Sequence, residues 1–314
     1  MPYLECISLD RMCGSPIPKE TALCLGNFDG VHLAHRALLR DAVEWRNRAF
    51  PHIPIGVFCF REPPARYLLP DPPGQLCSLE ERLRRFAECG VEFAILADFN
   101  ELRNLPAADY LRDILQVACG CRYVACGFNH RFGRGGQGSP TLLREVFGEA
   151  LLVREAFTVG GLPVSSTRIR AALSEGRAQE VEGLLGEPYA LTAEVLHGKA
   201  LGRRLGAPTL NQRFPQNAVL PRFGVYVSDV WVGDTRYIGV SNIGVHPTVD
   251  FEGAVNCETY LLDFEGDLYG QRVKVAFRHF LREEQQFLNV AALQAQIGRD
   301  IAAARSWSEK NKTI

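Results

Sequence analysis

Apolar residues follow two rhythms along this chain, and the change from one to the other divides it. From Thr21 to about Gly186, short apolar runs alternate with segments of helical period. The runs at 22–25, 53–60, 91–97, 122–127 and 150–153 read as strands. The helical segments between them have legible ends. Ser78 with Glu81 forms a capping box, and Gly90 follows that helix. Pro106 opens the next, which closes near Gly120. Ser139-Pro140 supplies an N-cap and a proline at the first helical position, with Gly148 at the far end. Strands alternating with helices predict a parallel sheet covered on both faces. Ligands of such a sheet bind at the carboxyl ends of its strands.

A short helical stretch at 178–185 ends at Gly186, Pro188 follows, and the period then shortens to two. Segments 224–232 and 236–240 flank Gly233-Asp234, a hairpin turn. Segments 255–264 and 273–280 come next; in the latter Val273, Val275 and Phe277 alternate with Lys274 and Arg278. The last helical pattern, 290–304, carries Leu293, Ile297 and Ile301 at core spacing. The C-terminal part therefore reads as an antiparallel β unit closed by a helix. There is no internal repeat and no low-complexity linker.

Composition changes this picture little. A length of 314 residues accommodates two domains. Charged residues at 23% and hydrophobic ones at 46% describe an ordinary soluble globular protein. A net charge of −1 supplies no general attraction to nucleic acid or anionic membrane. No run approaches the ~20 apolar residues of a membrane span, and the N-terminus lacks a basic-then-apolar export signal. A cytoplasmic location, with neither nucleic acid nor membrane as partner, is the expectation; oligomeric state is left open. The ten cysteines are scattered through apolar stretches such as 22–25 and 57–60, as buried thiols in a reducing compartment would be. Cys119, Cys121 and Cys126 cluster without zinc-site spacing and read as core.

The candidate chemistry begins at Gly26-Asn27-Phe28-Asp29-Gly30-Val31-His32-Leu33-Ala34-His35, between the first strand and its helix. Gly26 and Gly30 lack a Cβ, so backbone N–H groups can approach a ligand. The helix N-terminus favours anions. His32 and His35, three apart in the first turn, point the same way and add two side-chain donors. That combination suits nucleotide phosphates. Surface histidines or a metal site are the competing readings, although no third ligand is placed.

Four further stretches stand out. Residues 128–138 form a basic, glycine-rich loop after a strand, without the Gly-Lys-Ser/Thr ending of a phosphate loop; composition alone equally suits a surface loop. Val164 to Arg170 begins a helix, where Ser166 and Thr167 serve equally well as caps and Arg170 as a surface cation. Residues 197–211 are rich in glycine and base and read by themselves as a solvated loop ending in a Pro-Thr turn. Glu258 lies mid-strand, where a glutamate usually faces water.

Taken together, these stretches resemble the bacterial bifunctional riboflavin kinase/FMN adenylyltransferase (FAD synthetase) family. Residues 26–35 are similar to its G-x-F-D-G-x-H-x-G-H signature, with Ala34 in place of the last glycine. Residues 127–133 resemble G-x-[DN]-x-x-F-G, and residues 164–170 resemble I-S-S-T-x-I-R. Residues 198–211 resemble G-x-x-x-G-R-x-[LI]-G-x-P-T-x-N, with Leu210 replacing the commoner alanine, and Glu258 falls in V-E-x-x-L-L-D-F. Lesser matches are Gly224-Val225-Tyr226, the stretch Asn242 to Thr248, Leu268-Tyr269-Gly270, and Phe280-Leu281-Arg282 with Phe287. The likeness runs from about Ala22 to Ala304.

The resemblance implies a nucleotidyltransferase-type parallel α/β domain over 1–186. It implies a six-stranded antiparallel β-barrel with a closing C-terminal helix over 187–314. Riboflavin plus ATP would give FMN; FMN plus ATP would give FAD and pyrophosphate. In the first domain it implies Gly26, Asn27, Phe28, Gly30, Ser166 and Thr167 as ATP and phosphate contacts. His32, His35 and Arg170 would be catalytic, and Asn129 and Arg131 would hold the flavin nucleotide. In the second, Gly198, Gly202, Gly206 and Thr209 would cover ATP phosphates, Thr209 and Asn211 would hold magnesium, and Glu258 would be the general base.

One departure matters. Where the family has T-F-x-P-H-P after its second strand, Cys59-Phe60-Arg61-Glu62-Pro63-Pro64 puts Pro63 at the histidine position. A phosphate donor is lost, and Arg61 or Arg66 is the expected electrostatic substitute. The loss motivates an alternative: a monofunctional riboflavin kinase with a weakened adenylyltransferase half.

Overall fold

The computed structural model describes residues 5–8, 17–197, 209–245 and 255–311. Chain contacts divide it into two compact units, Met1–Ser166 and Thr167–Ile314.

The first unit is built on six parallel strands, β1 (Glu5–Ser8), β2 (Thr21–Leu25), β3 (Ile55–Phe60), β4 (Phe93–Ala97), β5 (Cys121–Gly127) and β6 (Leu151–Arg154), ordered β1-β4-β3-β2-β5-β6. Between them run α1 (Leu33–Ala49), α2 (Ala65–Leu68), α3 (Leu79–Glu88), α4 (Phe99–Leu102), α5 (Ala107–Asp109) and α6 (Pro140–Phe147). Every residue of β2 is buried because both faces of the sheet are covered. Leu23 and Leu25 pack into one apolar cluster with Phe58, Tyr110 and Leu143; Ala22 and Cys24 pack into the other with Leu39, Val57 and Phe86. Cys119, Cys121 and Cys126 are core, and the nine cysteines among the described residues are free thiols.

Helix ends follow the sequence in most places. Ser78 Oγ accepts the Glu81 N–H at 3.1 Å, while the Glu81 carboxylate takes Arg85 at 3.0 Å. Pro140 opens α6 as expected, but the Ser139 side chain makes no cap bond. The helix after Pro106 departs further. After one turn it widens into a π-helix over Tyr110–Ala118, whose last bond runs from Cys119 N–H to the Ile114 carbonyl at 2.9 Å. A small hairpin, β7 (Thr158–Val159) with β8 (Leu162–Pro163), follows the sheet and was not expected.

The second unit opens with α7 (Ser166–Ser174), which starts at the last residue of the first, and α8 (Ala178–Leu185), capped by Gly186 at φ 81°. Six antiparallel strands follow: β9 (Ala190–Glu194), β10 (Thr209–Arg213), β11 (Gly224–Val232), β12 (Thr235–Val245), β13 (Val255–Leu261) and β14 (Arg272–Arg282). Their order is β10-β13-β12-β11-β14-β9. The two end strands meet across a nearly closed barrel. Leu196 N–H donates to the Asn211 carbonyl at 2.8 Å, and the buried Gln212 amide donates to the carbonyls of Ala193 at 2.7 Å and Val273 at 2.8 Å. Inside, Ser228, Ser241 and Thr259 join hydroxyls at 2.8 Å per link, so these three buried hydroxyls satisfy one another. The terminal helix α9 (Val290–Lys310) carries Asp300, which accepts from Arg282 at 2.8 Å.

Candidate active sites

The first site grows from the carboxyl ends of β2 and β5, the neighbouring strands from which the sheet's connections diverge. After β2 the chain makes an unusual turn. Phe28 and Val31 have φ of 52° and 39°, and Gly30 has 79°. Positive φ at a β-branched residue costs on the order of 1–3 kcal/mol and persists only where the surroundings hold it. Gly26 lies against the Phe28 ring, which a Cβ there would meet at 2.9 Å.

What holds the turn is a pair of buried arginines on α3. Arg82 donates to the carbonyls of Asn27 at 3.1 Å, Phe60 at 3.0 Å and Arg61 at 2.9 Å. Arg85 donates to the Gly30 carbonyl at 2.6 Å. The Asp29 carboxylate, also buried, accepts the Leu76 N–H at 2.9 Å, and the Ser166 hydroxyl donates to the Asp29 carbonyl at 3.0 Å. Neither arginine staple is visible in the signature itself. Backbone carbonyls are their partners, and those exist at every position, so two arginines on an amphipathic helix read as ordinary surface charge.

His32 is the N-cap of α1 rather than a first-turn residue, with φ −66° and ψ 174°. Its Nδ1 accepts the His35 N–H at 3.4 Å, which assigns its own proton to Nε2. The two imidazoles nonetheless come together, stacked at 3.6 Å between centroids and 14° between planes. His35 also meets Phe28 edge-on at 5.2 Å. Burial pushes His32 down to about 4, and burial together with neighbouring His32 holds His35 well below the usual histidine value. Both rings are therefore neutral at pH 7, and each presents one N–H.

These groups border a cavity of about 720 Å³. One wall is the turn with His32, Ala34 and His35; another is the loop from Gly127 to Gly136; Ser165 and Ser166 complete it. Phe58, Phe60, Phe99, Tyr110 and Phe132 give it an aromatic lining, with Tyr110 at 5.9 Å from Phe58 and 5.3 Å from Phe132. An apolar hollow with few convergent polar groups is the usual form of a small-molecule site. The loop after β5 is a built wall, not a surface excursion. Arg134 N–H donates to the Leu105 carbonyl at 2.7 Å, and Gly133, at φ 71°, approaches Ala107 so closely that a Cβ would sit 2.7 Å from its Cα.

Asn129 and Arg131 lie in that wall. Arg61 and Arg66, expected to replace the missing histidine, do not line the cavity; Arg66 pairs with Glu62 at 3.2 Å. Pro64 rather than Pro63 borders it. The cations that do are Arg103, Arg131, Arg134 and Arg154, the last also pairing with Asp41 and lying 5.8 Å from the Phe157 ring. Thr167 and Arg170 belong to the second unit.

In that second unit the register makes the site. Asn211 lies opposite Glu258 across β10–β13, and Glu258 lies opposite Asn242 across β13–β12. Residues directly opposite share a face about 4.5–5.5 Å apart. Thr209, two residues from Asn211, joins the same face, while Leu210, Gln212, Cys257 and Thr259 are buried on the other. Thr209 begins a strand instead of ending a turn, and Glu258 is half-buried instead of facing open water. Asn242 donates to Glu284 at 3.1 Å, adding a second carboxylate nearby. Gly198, Gly202 and Gly206, and the stretch from His246 to Thr248, lie outside the described residues.

Among the described residues no three His, Cys, Asp or Glu side chains converge as a metal cage. The hydroxyl and amide oxygens of Thr209 and Asn211 suit magnesium, which commonly takes few protein oxygens and completes its shell with substrate phosphates.

Comparison with known proteins agrees with this division. The FAD synthetase family model matches residues 15–168, and the riboflavin kinase family model matches residues 185–308. Two catalytic domains on one chain make this a two-domain, ATP-dependent transferase. A bifunctional riboflavin kinase/FMN adenylyltransferase from Escherichia coli (strain K12) is 37% identical over 93% of this chain and 95% of its own. A protein of that name from Pseudomonas fluorescens is 37% identical over 90% and 91%. A solved structure described as a macrolide-efflux protein from Streptococcus pneumoniae superposes with a TM-score of 0.86 at 29% identity, covering 97% of this chain and all of that one. The chain belongs to the bifunctional riboflavin kinase/FMN adenylyltransferase family. Both domains are present, so the monofunctional alternative gives way to the bifunctional one. Among the described residues no helix is long and apolar enough to cross a membrane.

Proposed function

We propose that the two sites divide flavin cofactor synthesis between them as follows. On the barrel, Glu258 takes the proton from the ribityl 5′-hydroxyl of riboflavin as that oxygen attacks the γ-phosphorus of ATP, with ADP leaving. Thr209 and Asn211 hold the magnesium–phosphate end of ATP on the same face, and Gly198, Gly202 and Gly206 cover the phosphates. Magnesium bound there would supply positive charge that offsets the phosphates. In the cavity, an FMN phosphate oxygen attacks the α-phosphorus of ATP and pyrophosphate leaves. That nucleophile is already an anion, so the residues there align and neutralise rather than deprotonate.

In this reading His32 and His35 donate to ATP phosphates, with Gly26, Asn27, Phe28 and Gly30 forming the backbone cradle. Ser166 adds a phosphate contact, although its proton is engaged by Asp29 in the structure described. Asn129 and Arg131 hold the flavin nucleotide, and Arg103 and Arg154 supply positive charge in place of the lost histidine. The functional boundary falls at Gly186/Glu187. Free thiols suit a reducing, cytoplasmic setting. The observation that carries the reading is a single cavity of about 720 Å³ joining the stacked histidines to the aromatic lining. A time course from riboflavin and ATP with magnesium tests it. FMN should rise first and FAD follow with pyrophosphate; FMN accumulating without FAD would remove the cavity's assignment.

A further inference from the structure

The outer face of the barrel carries a second carboxylate that the chemistry above does not use. Glu284 lies just after β14, and its side chain returns to the face that holds Glu258. Two features seat it there. The Asn242 amide donates to Glu284 Oε1 at 3.1 Å. Two residues further along β12, Gly244 shares the face of Asn242 and is nonetheless buried, because the Glu284 carboxylate occupies the place where a side chain would begin. A Cβ at that position would overlap the carboxylate.

Strand register gives this pair its place in a sequence. Across three adjacent strands the face reads Asn211 on β10, Glu258 on β13 and Asn242 on β12. Asn211, with Thr209, is the magnesium–phosphate end, and Glu258 is the base in the middle. The third place falls to the alcohol. A carboxylate suits that place and not the first, since it repels a triphosphate but accepts from hydroxyls. It also decides how the amide stands. An ionised carboxylate only accepts, so Asn242 turns its NH2 toward Glu284, and the amide oxygen is left to accept from a neighbouring hydroxyl. The ribityl chain of riboflavin carries further hydroxyls beside the one that Glu258 deprotonates.

We propose that Glu284 is a positioning residue of the kinase site: it fixes the Asn242 amide so that the amide oxygen takes a ribityl hydroxyl and aligns the 5′-hydroxyl with Glu258. This rests on the assignment of Glu258 and Asn211 to riboflavin phosphorylation. Glu284→Gln and Gly244→Ala in the full-length chain test it, with the KM for ATP in the same reaction reporting that the barrel is folded. The first lets the amide stand either way round; the second displaces the carboxylate and leaves both partners chemically intact. Each should raise the KM for riboflavin roughly three- to tenfold, the effect of one hydrogen bond, while the KM for ATP stays put. Asn242→Ala should raise it likewise, and Glu284→Gln should add nothing on that background, because one residue acts through the other.

A KM for riboflavin left unchanged by either variant would overturn the proposal, and a lower melting temperature with both KM values unmoved would assign the contact a purely structural part. Full additivity of Glu284→Gln with Asn242→Ala would also overturn it, since the carboxylate would then act without the amide. A KM for ATP that rises as much as that for riboflavin would do the same. Riboflavin phosphorylated at the wild-type rate by Glu258→Gln would overturn the reading of the face itself, an outcome distinct from failure of the Glu284 variants alone.

Discussion

The two units handle the same co-substrate with opposite equipment. The cavity of the α/β unit is bordered by neutral imidazoles and arginines; its only lining carboxylate among the described residues, Glu155, is exposed, and the buried Asp29 in the turn is spent on the Leu76 N–H. The barrel offers Glu258 in a row with Asn211 and Asn242 on a half-buried sheet face. The nucleophile explains the difference. A phosphate monoester is ionised at neutral pH and needs only donors and cations, whereas a primary alcohol must lose a proton as it attacks. The contrast also separates how the two sites are held: one by strain and buried arginines, the other by strand register.

Glu258→Gln gives the largest expected break. It should lower FMN formation by about 10²–10⁴-fold while FAD formation from supplied FMN continues, measured with each substrate separately. Turnover of riboflavin at the wild-type rate would remove the distinction between the sites. His32→Ala should do the reverse, with a loss of about 10²–10³ in FAD formation, as for removal of one transition-state donor, and riboflavin phosphorylation intact. If both activities fell together, the effect would be on folding and the separation would fail.

Arg85→Met sharpens the comparison at the level of support. It removes the donor to the Gly30 carbonyl, and an unsatisfied buried carbonyl costs about 1–3 kcal/mol. Thermal unfolding should show that loss, and FAD formation should decline more than kinase activity because the strained turn relaxes. The smallest effect concerns pH. His32, with a value near 4 when folded, is uncharged in the folded unit across a range where the unfolded chain takes up a proton. A lowered value means stability present above about pH 6.5 and lost as pH falls toward 4. Between pH 7 and 5 this one group should remove roughly 2 kcal/mol from the α/β unit. Asp229 in the barrel, raised by burial, acts with the opposite sign. Calorimetry across that range would test the sign, and a unit that gained stability toward pH 5 would contradict neutral histidines.

Much of this organisation was legible before any coordinates. Alternating apolar runs located five strands of the parallel sheet, and the capping serine at 78 and glycines at 90 and 186 marked helix ends because their signals are local. The edge strand β1 and the barrel strand β9 were missed. In β10, the sequence groups Thr209 and Asn211 with the glycine-rich stretch before them, although their pairing with β13 is what sets their face. The arginine staples were illegible for a related reason: Arg82 and Arg85 reach carbonyls 55 residues away, and a carbonyl carries no residue identity. The cavity's true cations were hidden likewise. Arg103 follows α4 and Arg154 ends β6, and only the folded sheet brings their walls together.

The amide of Gln212 has a consequence beyond its own strand. An open six-stranded sheet would present two unpaired edges, each a template for another molecule's backbone. By bonding to Ala193 and Val273, that one side chain seams the first strand of the sheet order to the last. The strand bearing Thr209 and Asn211 is thereby withdrawn from intermolecular pairing, and protection against association comes with the same few atoms that brace the face those two residues share with Glu258.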